Sequence, residues 1–404
     1  MSYNKALLIS QVFYPDEVAV SNLFTNLCTV LTEREGLSID VWSAQPSYTC
    51  LERQPRYRNY KGINIYYLPS TNFHKDYRMG RLINVVTFSL SVVFRLLFSC
   101  GKQTVISHTV PPFLAIVIAF VCRVKRNRFI YVIMDVFPDG LIRLKKVSAK
   151  NILIIVWKKL HFSAFKFSDK IVVIGRDMHD WLLSVYPDGI GKVEYIPLWQ
   201  DDDLIKPLPF DENPFVIKYS LKGRFVVQYS GNMGLWNDMR TMGTAVNKRP
   251  DNVVFSFIGG GMRKKELIDT FDKDNPENTL IIPFLPNNEY AFSVSACHAA
   301  IVSFRQGLEG MAVPSKIIGI MAAGIPVIAL VPERTEIAYI INEEKCGYVV
   351  NPGDVDGLMR AIGELKNNER RRIEMGANGR KAFVSKYTSK IVAKSYKRLI
   401  TKMM

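Results

Sequence analysis

The sequence predicts an α/β chain of two domains, each built on a mostly parallel sheet with helices on both faces. Short apolar runs rich in β-branched and aromatic residues alternate with longer helical stretches, and this alternation begins again at residue 224. A proline-containing stretch with an acidic run, residues 196–209, separates the two halves. The length of 404 residues suits two or three domains, and we place the boundary near residue 205.

Each half carries six predicted strands. In the first half they begin at Ala6, Ser38, Ile63, Thr104, Phe129 and Lys170. In the second half they begin at Arg224, Val253, Thr279, Ala300, Pro326 and Gly347. Helices are predicted at 21–34 and 176–185, and the chain is helical after Asp354. The first domain is therefore predicted at 1–204 and the second at 205–384, with a last helix, about 385–404, packing back on the first.

Composition narrows the classes of function. With 48% hydrophobic and 22% charged residues, the chain is globular rather than disordered. A net charge of +16 fits nucleic acid, anionic lipid or phosphate-bearing substrates as partners. Because the basic residues are not interleaved with a stripe of stacking aromatic residues, we expect no nucleic-acid partner.

The cysteines and the acidic runs give no indication of a bound metal. No two of the six cysteines form a Cys-x-x-Cys pair, and isolated cysteines in a chain of this size fit a reducing cytosol. The aspartates at 201–203 suit a linker, and those at 354 and 356 suit a helix cap. We therefore expect neither a metal ion nor a cofactor.

A long apolar segment at residues 81–99 admits three structures. It approaches the roughly 20 apolar residues that a membrane-spanning helix needs, but Asn84 and Arg95 interrupt it. It also suits a buried helix. A third possibility is a helix lying on a membrane surface, with Arg78, Arg81 and Arg95 meeting lipid headgroups. The apolar run at the N-terminus is too short for a signal peptide and is predicted as the first strand.

Loops that follow the strands are where a ligand is expected, because doubly wound sheets bind ligands beyond the carboxyl ends of their strands. With two such domains, the site is expected in the cleft between them. Gly231 and Gly234 follow one predicted strand, and three glycines at 259–261 follow the next, before Arg263. Glycines let backbone N–H groups approach an anion closely, so both loops can hold phosphate.

The stretch 304–329 joins a polar loop to a helix and then to a buried strand. Pro314 and Ser315 are typical of a helix start, which places Lys316 in the first turn. A cation there opposes the helix dipole, so its position is costly unless an anion shares the site. Lys316 is therefore a candidate for diphosphate binding, although a lysine that reaches solvent is the alternative. Glu309 in the preceding loop can accept hydrogen bonds from sugar hydroxyls.

These stretches resemble the donor-site signature of GT-B glycosyltransferases of retaining family four. The resemblance rests on Ser-Gly-Asn-Met-Gly at 230–234, Val-Pro-Ser-Lys at 313–316 and Met-Ala-Ala-Gly-Ile-Pro-Val-Ile-Ala at 321–329. It is closest to the branch of fucosamine-type transferases of bacterial surface-polysaccharide (O-antigen or capsule) assembly. It implies two Rossmann-like domains facing across a cleft, a UDP-sugar donor in the second domain, and no metal.

The sequence departs from the family pattern at several charged positions. Glu309 matches the first of two glutamates, but the second is absent from 316–319. Asn232 and Asp238 stand where the family has Arg and Lys, so Lys316, Arg263 or Arg305 is expected to supply the missing charge. The resemblance assigns the base to the loop beginning at Phe284. The expected donor-binding residues are Gly231, Asn232, Met233, Gly234, Gly259, Gly260, Arg263, Phe284, Leu285, Arg305, Pro314 and Ser315.

Candidates in the first domain also follow strands. Asp135 is expected to orient the acceptor hydroxyl or take its proton, with Asp139 as a second candidate. Asp16 and Glu17 are acceptor-side candidates, with helix capping as the alternative role. His108 is a further acceptor-side candidate, although a structural role is the favoured interpretation for this histidine. The catalytic candidates in the whole chain are Asp135, Glu309 and Lys316.

Together these observations predict a retaining hexosyltransferase. It is expected to move a sugar, an N-acetylated hexosamine or its 6-deoxy form, from a UDP-sugar to a lipid-linked saccharide. The basic and apolar segments at 75–130 and 150–167 are expected to dock on an anionic membrane surface, which makes the enzyme peripheral on the cytoplasmic face of the inner membrane. The alternatives are a sugar-nucleotide epimerase of the same fold and a non-catalytic membrane-docking partner of a transferase.

Overall fold

The computed structural model describes residues 5–46, 48–50, 52–74, 77–272 and 277–403. The chain forms two compact units. The first contains the residues up to Pro197, together with Gly310–Ala312 and the segment from Ser389 onward. The second contains Leu198–Glu309 and Val313–Thr388. It begins inside the stretch predicted as a linker.

The first unit is built on an eight-stranded sheet in the order β3-β4-β2-β1-β5-β6-β7-β8. Its strands are parallel except for the antiparallel β3–β4 pair at one edge. Two short edge strands, β3 and β8, were not predicted. The strand bounds are β1 Lys5–Ser10, β2 Ser38–Ser43, β3 Tyr57–Tyr60, β4 Ile63–Tyr67, β5 Thr104–His108, β6 Arg128–Ile133, β7 Lys170–Val173 and β8 Val193–Tyr195.

Six helices accompany this sheet before the chain enters the second unit: α1 Ala19–Glu33, α2 Arg78–Leu97, α3 Leu114–Lys125, α4 Asp139–Arg143, α5 Ile152–Phe167 and α6 Arg176–Val185. The central strands are continuous apolar runs, as expected when helices cover both faces of a parallel sheet. In β6, for example, Phe129 to Val132 are fully buried. Each such side chain contributes roughly 1.5–3 kcal/mol of burial free energy.

The second unit has a six-stranded parallel sheet in the order β11-β10-β9-β12-β13-β14. Its strands are β9 Phe225–Ser230, β10 Val253–Ile258, β11 Thr279–Ile282, β12 Ala299–Ser303, β13 Val327–Leu330 and β14 Gly347–Val350. Its helices are α7 Pro214–Lys218, α8 Met239–Val246, α9 Lys264–Ile268, α10 Asn287–Val294, α11 Lys316–Ala323, α12 Glu336–Glu344, α13 Val355–Asn367 and α14 Glu369–Ala382. All six strands begin within one residue of their predicted positions.

The last helix, α15 (Ser389–Met403), belongs to the first unit and packs on α1. It is amphipathic, and Val392, Tyr396 and Ile400 on one of its faces are buried. An ion pair of 3.1 Å joins Lys397 to Glu35 just beyond α1. The core of the first unit is therefore completed by residues from the far end of the chain.

Helix α2 has two contrasting faces. Asn84, Phe88, Val92 and Leu96 are buried at a spacing of four residues. The opposite face is apolar and exposed: Met79, Leu82, Ile83, Val86, Leu90, Phe94 and Leu97. The segment Met79–Leu97 is long and apolar enough to cross a membrane. Only 28% of it is buried inside the protein. The alternative of a fully buried helix is therefore wrong for this segment.

Asn84, which interrupts the apolar run, attaches α2 to the loop after β4. Its side-chain oxygen accepts hydrogen bonds from the Thr71 hydroxyl at 2.8 Å and the Phe73 N–H at 3.0 Å. Its amide nitrogen donates to the Phe73 carbonyl at 2.8 Å. Because all three bonds are inside the unit, the polar residue serves packing of the loop rather than solvation of the helix.

Candidate functional site

The carboxyl ends of β9 and β10 bring two glycine turns of the second unit together. Gly231 has φ 115° and Gly259 has φ 121°, values that side-chain-bearing residues rarely adopt. A Cβ atom on Gly259 would lie 2.3 Å from the Gly231 carbonyl oxygen, so only glycine fits there. The Gly231 N–H donates to Ile258 and the Met233 N–H donates to Gly260, which closes the two turns on each other. We call residues 231 and 259–260 the glycine floor.

Lys316 reaches this floor from the first turn of α11. A Cβ atom on Gly231 would lie 3.3 Å from its Cε. Its ammonium group lies 3.8 Å from the ring centre of Tyr229 and 3.4 Å from the Asn232 carbonyl oxygen. It makes no ion pair with any residue that the structure describes. Burial without a carboxylate partner lowers the pKa of Lys316 to about 7.

The side chain of Phe284 lies along the same floor. It follows β11 and is 61% exposed, which is unusual for a phenylalanine. Its ring atoms lie 3.3–3.4 Å from the positions that Cβ atoms on Gly259 and Gly260 would take. The ring is thus placed beside backbone that no side chain covers, where a flat ligand can stack on it. Leu285, the next residue, is half-buried.

Arg263, one of the three cations expected to supply charge, is already neutralised. Its guanidinium group forms a two-pronged ion pair with Glu266, three residues on in the chain. This pair lowers the pKa of Glu266, and the charges of Arg240 and Arg305 lower it further. Since its charge is taken by Glu266, Arg263 is not the free cation that the sequence indicated. Its backbone N–H still closes the turn by donating to Met233 at 3.0 Å.

Two other arginines lie near this pair. Arg305 follows β12, and its backbone N–H donates to the Trp236 carbonyl at 2.8 Å, joining the loops after β9 and β12. Burial, and next the charge of Arg263, lower the pKa of Arg305. Arg240 is exposed near the start of α8 and was not among the predicted residues. Because Asp238 is a typical helix-cap residue, the sequence could have placed Arg240 in the first turn of α8, next to the loop after β9.

The remaining donor-side candidates have these positions. Asn232 is exposed, and Met233 is buried. The Gly234 N–H donates to Asn237. Pro314 is half-buried and Ser315 exposed; Ser315 caps α11 without a side-chain hydrogen bond. Glu309 is half-buried and accepts from the Gly307 N–H at 3.3 Å. Helix α11 ends at Gly324, where φ is 71°.

In the first unit, Asp135 follows β6 at the carboxyl edge of the sheet. Its N–H donates to the Thr109 hydroxyl at 3.1 Å, and that hydroxyl also receives the Met134 N–H at 3.0 Å. The residue also forms an isolated bridge with Ala312. Burial raises the pKa of the Asp135 carboxyl to about 6. A carboxyl titrating near neutrality at this edge suits the exchange of a proton with a hydroxyl.

Asp16 and His108 have structural roles, which corrects their acceptor-side assignment. One oxygen of the buried Asp16 accepts from the backbone N–H groups of residues 48–50 at 2.8–3.2 Å, which holds that loop. His108 is fully buried, with one ring nitrogen 2.9 Å from the Ser10 hydroxyl and the other accepting from the Val110 N–H. Burial lowers the pKa of His108 to about 3, so it is neutral.

Two further carboxylates differ in their availability. Glu17 is exposed, and its N–H donates to the Thr49 hydroxyl; among the described residues its carboxylate has no ion-pair partner. Asp139 begins α4 and forms a 2.8 Å ion pair with Lys158. Glu17 therefore remains open to a ligand, whereas Asp139 is neutralised.

The three aspartates at 201–203 have ligand atoms within 4.8 Å of one another, and Asp203 lies 3.6 Å from the Lys206 ammonium. That no metal binds remains a prediction.

Known proteins resemble this chain both in sequence and in fold. The family model described as "Glycosyl transferases group 1" matches residues 218–382, all of which except 310–312 lie in the second unit. A protein named probable glycosyltransferase WbjE, from Pseudomonas aeruginosa, is 29% identical over 292 residues, or 71% of each chain.

Solved structures share the fold over nearly the whole chain. Sucrose-phosphate synthase from Thermosynechococcus elongatus has a TM-score of 0.77 at 14% identity, covering 99% of this chain and 98% of that one. HepE from Anabaena, in complex with UDP-glucose, has a TM-score of 0.71 at 14% identity, covering 98% and 99%. WaaG, a glycosyltransferase of lipopolysaccharide biosynthesis, has a TM-score of 0.66 at 12% identity, covering 98% and 99%. The predicted GT-B fold, α/β with two domains on parallel sheets, is confirmed.

Proposed function

Because the chain is a glycosyltransferase of the GT-B fold, we propose that it transfers a sugar from a UDP-sugar to a lipid-linked saccharide during the assembly of a bacterial surface polysaccharide. The sugar is an N-acetylated hexosamine or its 6-deoxy form, as in the fucosamine-type branch that the sequence resembles. The HepE structures contain UDP and UDP-glucose, and WaaG acts in lipopolysaccharide biosynthesis. These relatives support a nucleotide-sugar donor and a cell-surface product for this chain.

The observation that carries the proposal is Lys316 at the glycine floor, where it has no carboxylate partner among the described residues. A half-buried cation with no carboxylate partner, in the first turn of a helix, lies in a position that a bound anion would stabilise. Backbone N–H groups of the glycine turns add further donors for phosphate oxygens. Phe284 supplies a face for a base at the other side of the floor. A nucleoside diphosphate has both parts, a flat base and two phosphates, in one molecule.

The proposed chemistry follows from these positions. As the bond between the sugar and the diphosphate lengthens, negative charge grows on the departing oxygen, and the Lys316 ammonium stabilises it. Glu309 orients the sugar through its hydroxyls. The resemblance implies a retaining reaction in which the leaving phosphate helps to take the acceptor proton. In this scheme Asp135 orients the acceptor hydroxyl, and no metal or cofactor takes part.

A nucleotide screen tests the donor assignment. Thermal shifts are measured with UDP, GDP, ADP and CMP, each on the wild-type chain. A ligand at 100 times its Kd stabilises the folded protein by about 2.7 kcal/mol, which is readily measured. We expect UDP to give the largest shift. Equal shifts with all four nucleotides, or none with any, would contradict the assignment of a uridine donor.

We also propose that the enzyme docks on the cytoplasmic face of the inner membrane through the first unit. The helices α2, α3 and α5 lie side by side and together expose an apolar surface. We call this the apolar face: Met79, Leu82, Ile83, Val86, Leu90, Phe94, Leu97, Phe113, Phe120, Val124, Ile152, Leu153, Val156 and Leu160. An exposed apolar area of this extent on a folded unit is typical of a membrane or partner contact.

Cations on the same helices support an anionic bilayer as the partner. Arg81, Arg123 and Lys159 are exposed, and each cation near such a surface contributes about 1 kcal/mol. Arg95, a predicted headgroup contact, instead lies over the rings of Trp42 and Tyr66. Lys158 of α5 is paired with Asp139. The side chain of Arg78 lies outside the described part of the structure.

The aromatic side chains of α5, which lie in the predicted docking segment 150–167, do not belong to the apolar face. Phe165 is buried, and the half-buried Trp157 packs on Phe113 with the ring planes tilted by 30° and the ring centres 4.4 Å apart. The exposed positions of α5 are aliphatic instead, at Ile152, Leu153 and Val156. A helix that packs its aromatic residues against its own unit turns its aliphatic side outward, and hydrophobicity alone does not reveal which side that is.

Vesicle flotation tests the docking surface. The double variant Val86→Ser/Phe94→Ser is expected to bind anionic vesicles at least tenfold more weakly than the wild type, because full burial of each such side chain is worth about 1.5–3 kcal/mol and tenfold in affinity is about 1.4 kcal/mol. Ile373→Ser is the matched control, since Ile373 in the second unit is 62% exposed and Phe94 is 63% exposed. Binding should also fall with salt and on neutral vesicles. Equal flotation of all variants would rule out this face.

A further inference from the structure

A cavity of about 490 Å³ opens between α2 and the loop that follows β4. Arg53, the loop 69–73, and Thr87, Leu90 and Ser91 of α2 line it. Its volume lies within the range of about 300–1,000 Å³ typical of small-molecule sites. None of the residues assigned above to the donor or to the transfer reaction lines this cavity.

The cavity is held in shape by hydrogen bonds among its own walls. Besides the Asn84 bonds, the Thr71 N–H donates to the Thr87 hydroxyl at 3.1 Å. The Ser91 hydroxyl donates to the Pro69 carbonyl. The Gln45 N–H donates to the Ser70 hydroxyl at 3.1 Å, so the proton of that hydroxyl remains available. A loop fixed in this way forms a preorganised site, which lowers the entropic cost of binding.

The two ends of the cavity differ in chemistry. At one end Arg53 offers a guanidinium that forms no ion pair with any described residue. At the other end are the apolar side chains of Phe73 and Leu90. Leu90 is also a member of the apolar face, and Val86 and Phe94 lie one turn to either side of it. The cavity therefore joins a cationic, hydroxyl-lined end to a surface suited to hydrocarbon.

The position of the cavity relates it to the transfer reaction within the first unit. Its loop follows β4 at the carboxyl edge of the sheet, the same edge at which Asp135 follows β6. The Tyr67 hydroxyl, at the end of β4, donates to the Tyr14 carbonyl in the loop after β1 at 2.7 Å. The loops after β1 and β4 are thus joined along that edge.

We propose that this cavity binds the phosphate-bearing end of the lipid acceptor, with Arg53 and the Ser70 hydroxyl on the phosphate and the hydrocarbon chain running past Leu90 along the apolar face. The proposal rests on the proposed function, since it gives the lipid-linked acceptor a place on this chain. An amphiphile with a phosphate at the end of a single chain matches both ends of the cavity. A free phosphate would leave the apolar end unused, and a plain hydrocarbon would leave Arg53 unpaired.

Binding of decyl diphosphate below its micelle concentration tests the proposal, with saturating UDP present to fill the donor site. Calorimetry on the full chain compares this probe with decanol, inorganic diphosphate and dihexanoyl phosphatidylglycerol. Arg53→Ala removes the charge, and Asn72→Trp fills the cavity from its loop. Arg56→Ala is the control, because Arg56 is an exposed arginine of the same segment that does not line the cavity.

We expect decyl diphosphate to bind at least tenfold more tightly than decanol or inorganic diphosphate. We expect tenfold weaker binding in Arg53→Ala and in Asn72→Trp, and unchanged binding in Arg56→Ala. The proposal would be overturned if decyl diphosphate did not bind, if the two cavity variants bound it as tightly as the wild type does, or if decanol bound as tightly as decyl diphosphate. Equally tight binding of the phosphatidylglycerol would overturn it in favour of a site for bilayer lipid.

The failure of this proposal is distinguishable from the failure of the proposed function. The UDP thermal shift reports the donor site and should be the same in all three variants, which also shows that they are folded. If the wild type shows no thermal shift with UDP, the donor assignment is refuted. The cavity is then tested by the same titration of decyl diphosphate without UDP. Vesicle flotation reports the apolar face and should not change in Arg53→Ala.

Discussion

Replacement of Lys316 by alanine is expected to lower transferase activity by about 100- to 1,000-fold, the range seen when one preorganised donor to a developing charge is removed. The reason is its position at the glycine floor, where no described carboxylate neutralises it. The same variant should lose most of the UDP thermal shift. Lys265→Ala, at an exposed lysine of α9, is the control and should keep both activity and shift.

The pH dependence of UDP affinity gives a second measurement of the same group. Lys316 must be charged to bind the diphosphate, and its pKa in the free protein is about 7. Affinity should therefore fall about tenfold per pH unit above pH 7, until the higher pKa of the bound form is reached. Lys316→Arg should remove this dependence, because a guanidinium stays charged. An unchanged pH profile in Lys316→Arg would show that another group titrates.

The lowered pKa also predicts an effect on folding. Between pH 7 and the ordinary pKa of lysine, the unfolded chain holds a proton at residue 316 that the folded chain has released. The contribution of this group to the free energy of unfolding therefore increases as the pH rises through that window. Lys316→Met should remove this dependence and should be at least as stable as the wild type at pH 7 and below. An inactive but stable variant is the signature of a binding residue.

Asp135→Asn is expected to lower kcat/KM by about 100-fold or more while the UDP thermal shift is unchanged. In the proposed reaction the carboxyl acts on the acceptor; Asp135 belongs to the first unit, whereas the donor loops belong to the second. Because the pKa of Asp135 is about 6, wild-type kcat/KM should rise with pH through about 6 as the carboxylate forms. Together with Lys316 this predicts a narrow optimum between about pH 6 and 7. Asp135→Asn should lack the acidic limb.

Stability separates a catalytic Asp135 from a structural one. Between its ordinary pKa of 3.8 and the value of about 6, the folded chain holds a proton that the unfolded chain has released. Stability from this group is therefore lost as the pH rises through that window. Asp135→Asn should raise Tm above pH 6, where the neutral amide avoids the cost of a buried carboxylate. Asp139→Asn is the control and should retain activity. A lowered Tm in Asp135→Asn would assign Asp135 a structural role.

Local sequence patterns predicted the parallel strands well, because β-branched runs bounded by polar residues define them on their own. The short edge strands β3 and β8 were missed, since four and three residues carry too little pattern. The position of Lys316 was also predictable, from its conflict with the helix dipole. What these features share is that the residues responsible are neighbours in the sequence.

The predictions for site residues were wrong where the partner of a residue is distant in the sequence or was overlooked. Asp16 holds backbone N–H groups 32 to 34 residues away, and no local pattern reveals that contact. The neutralisation of Arg263 was available from the sequence, because Glu266 is three residues on and such pairs meet on a helix surface. His108 has the structural role that the interpretation of the sequence favoured. The composition of α2 predicted an apolar helix. Which of its faces is exposed depends on how α3 packs against it, and the sequence alone did not show that packing.

The return of α15 to the first unit has a consequence for synthesis on the ribosome. Residues 389–403 are made more than 350 residues after α1 (Ala19–Glu33), and all of the second unit is translated in between. At about 5–20 residues per second, the α1 surface that Val392, Tyr396 and Ile400 cover stays open for tens of seconds. The core of the first unit can therefore be completed only after the second unit has been translated, although most of the first unit is made earlier.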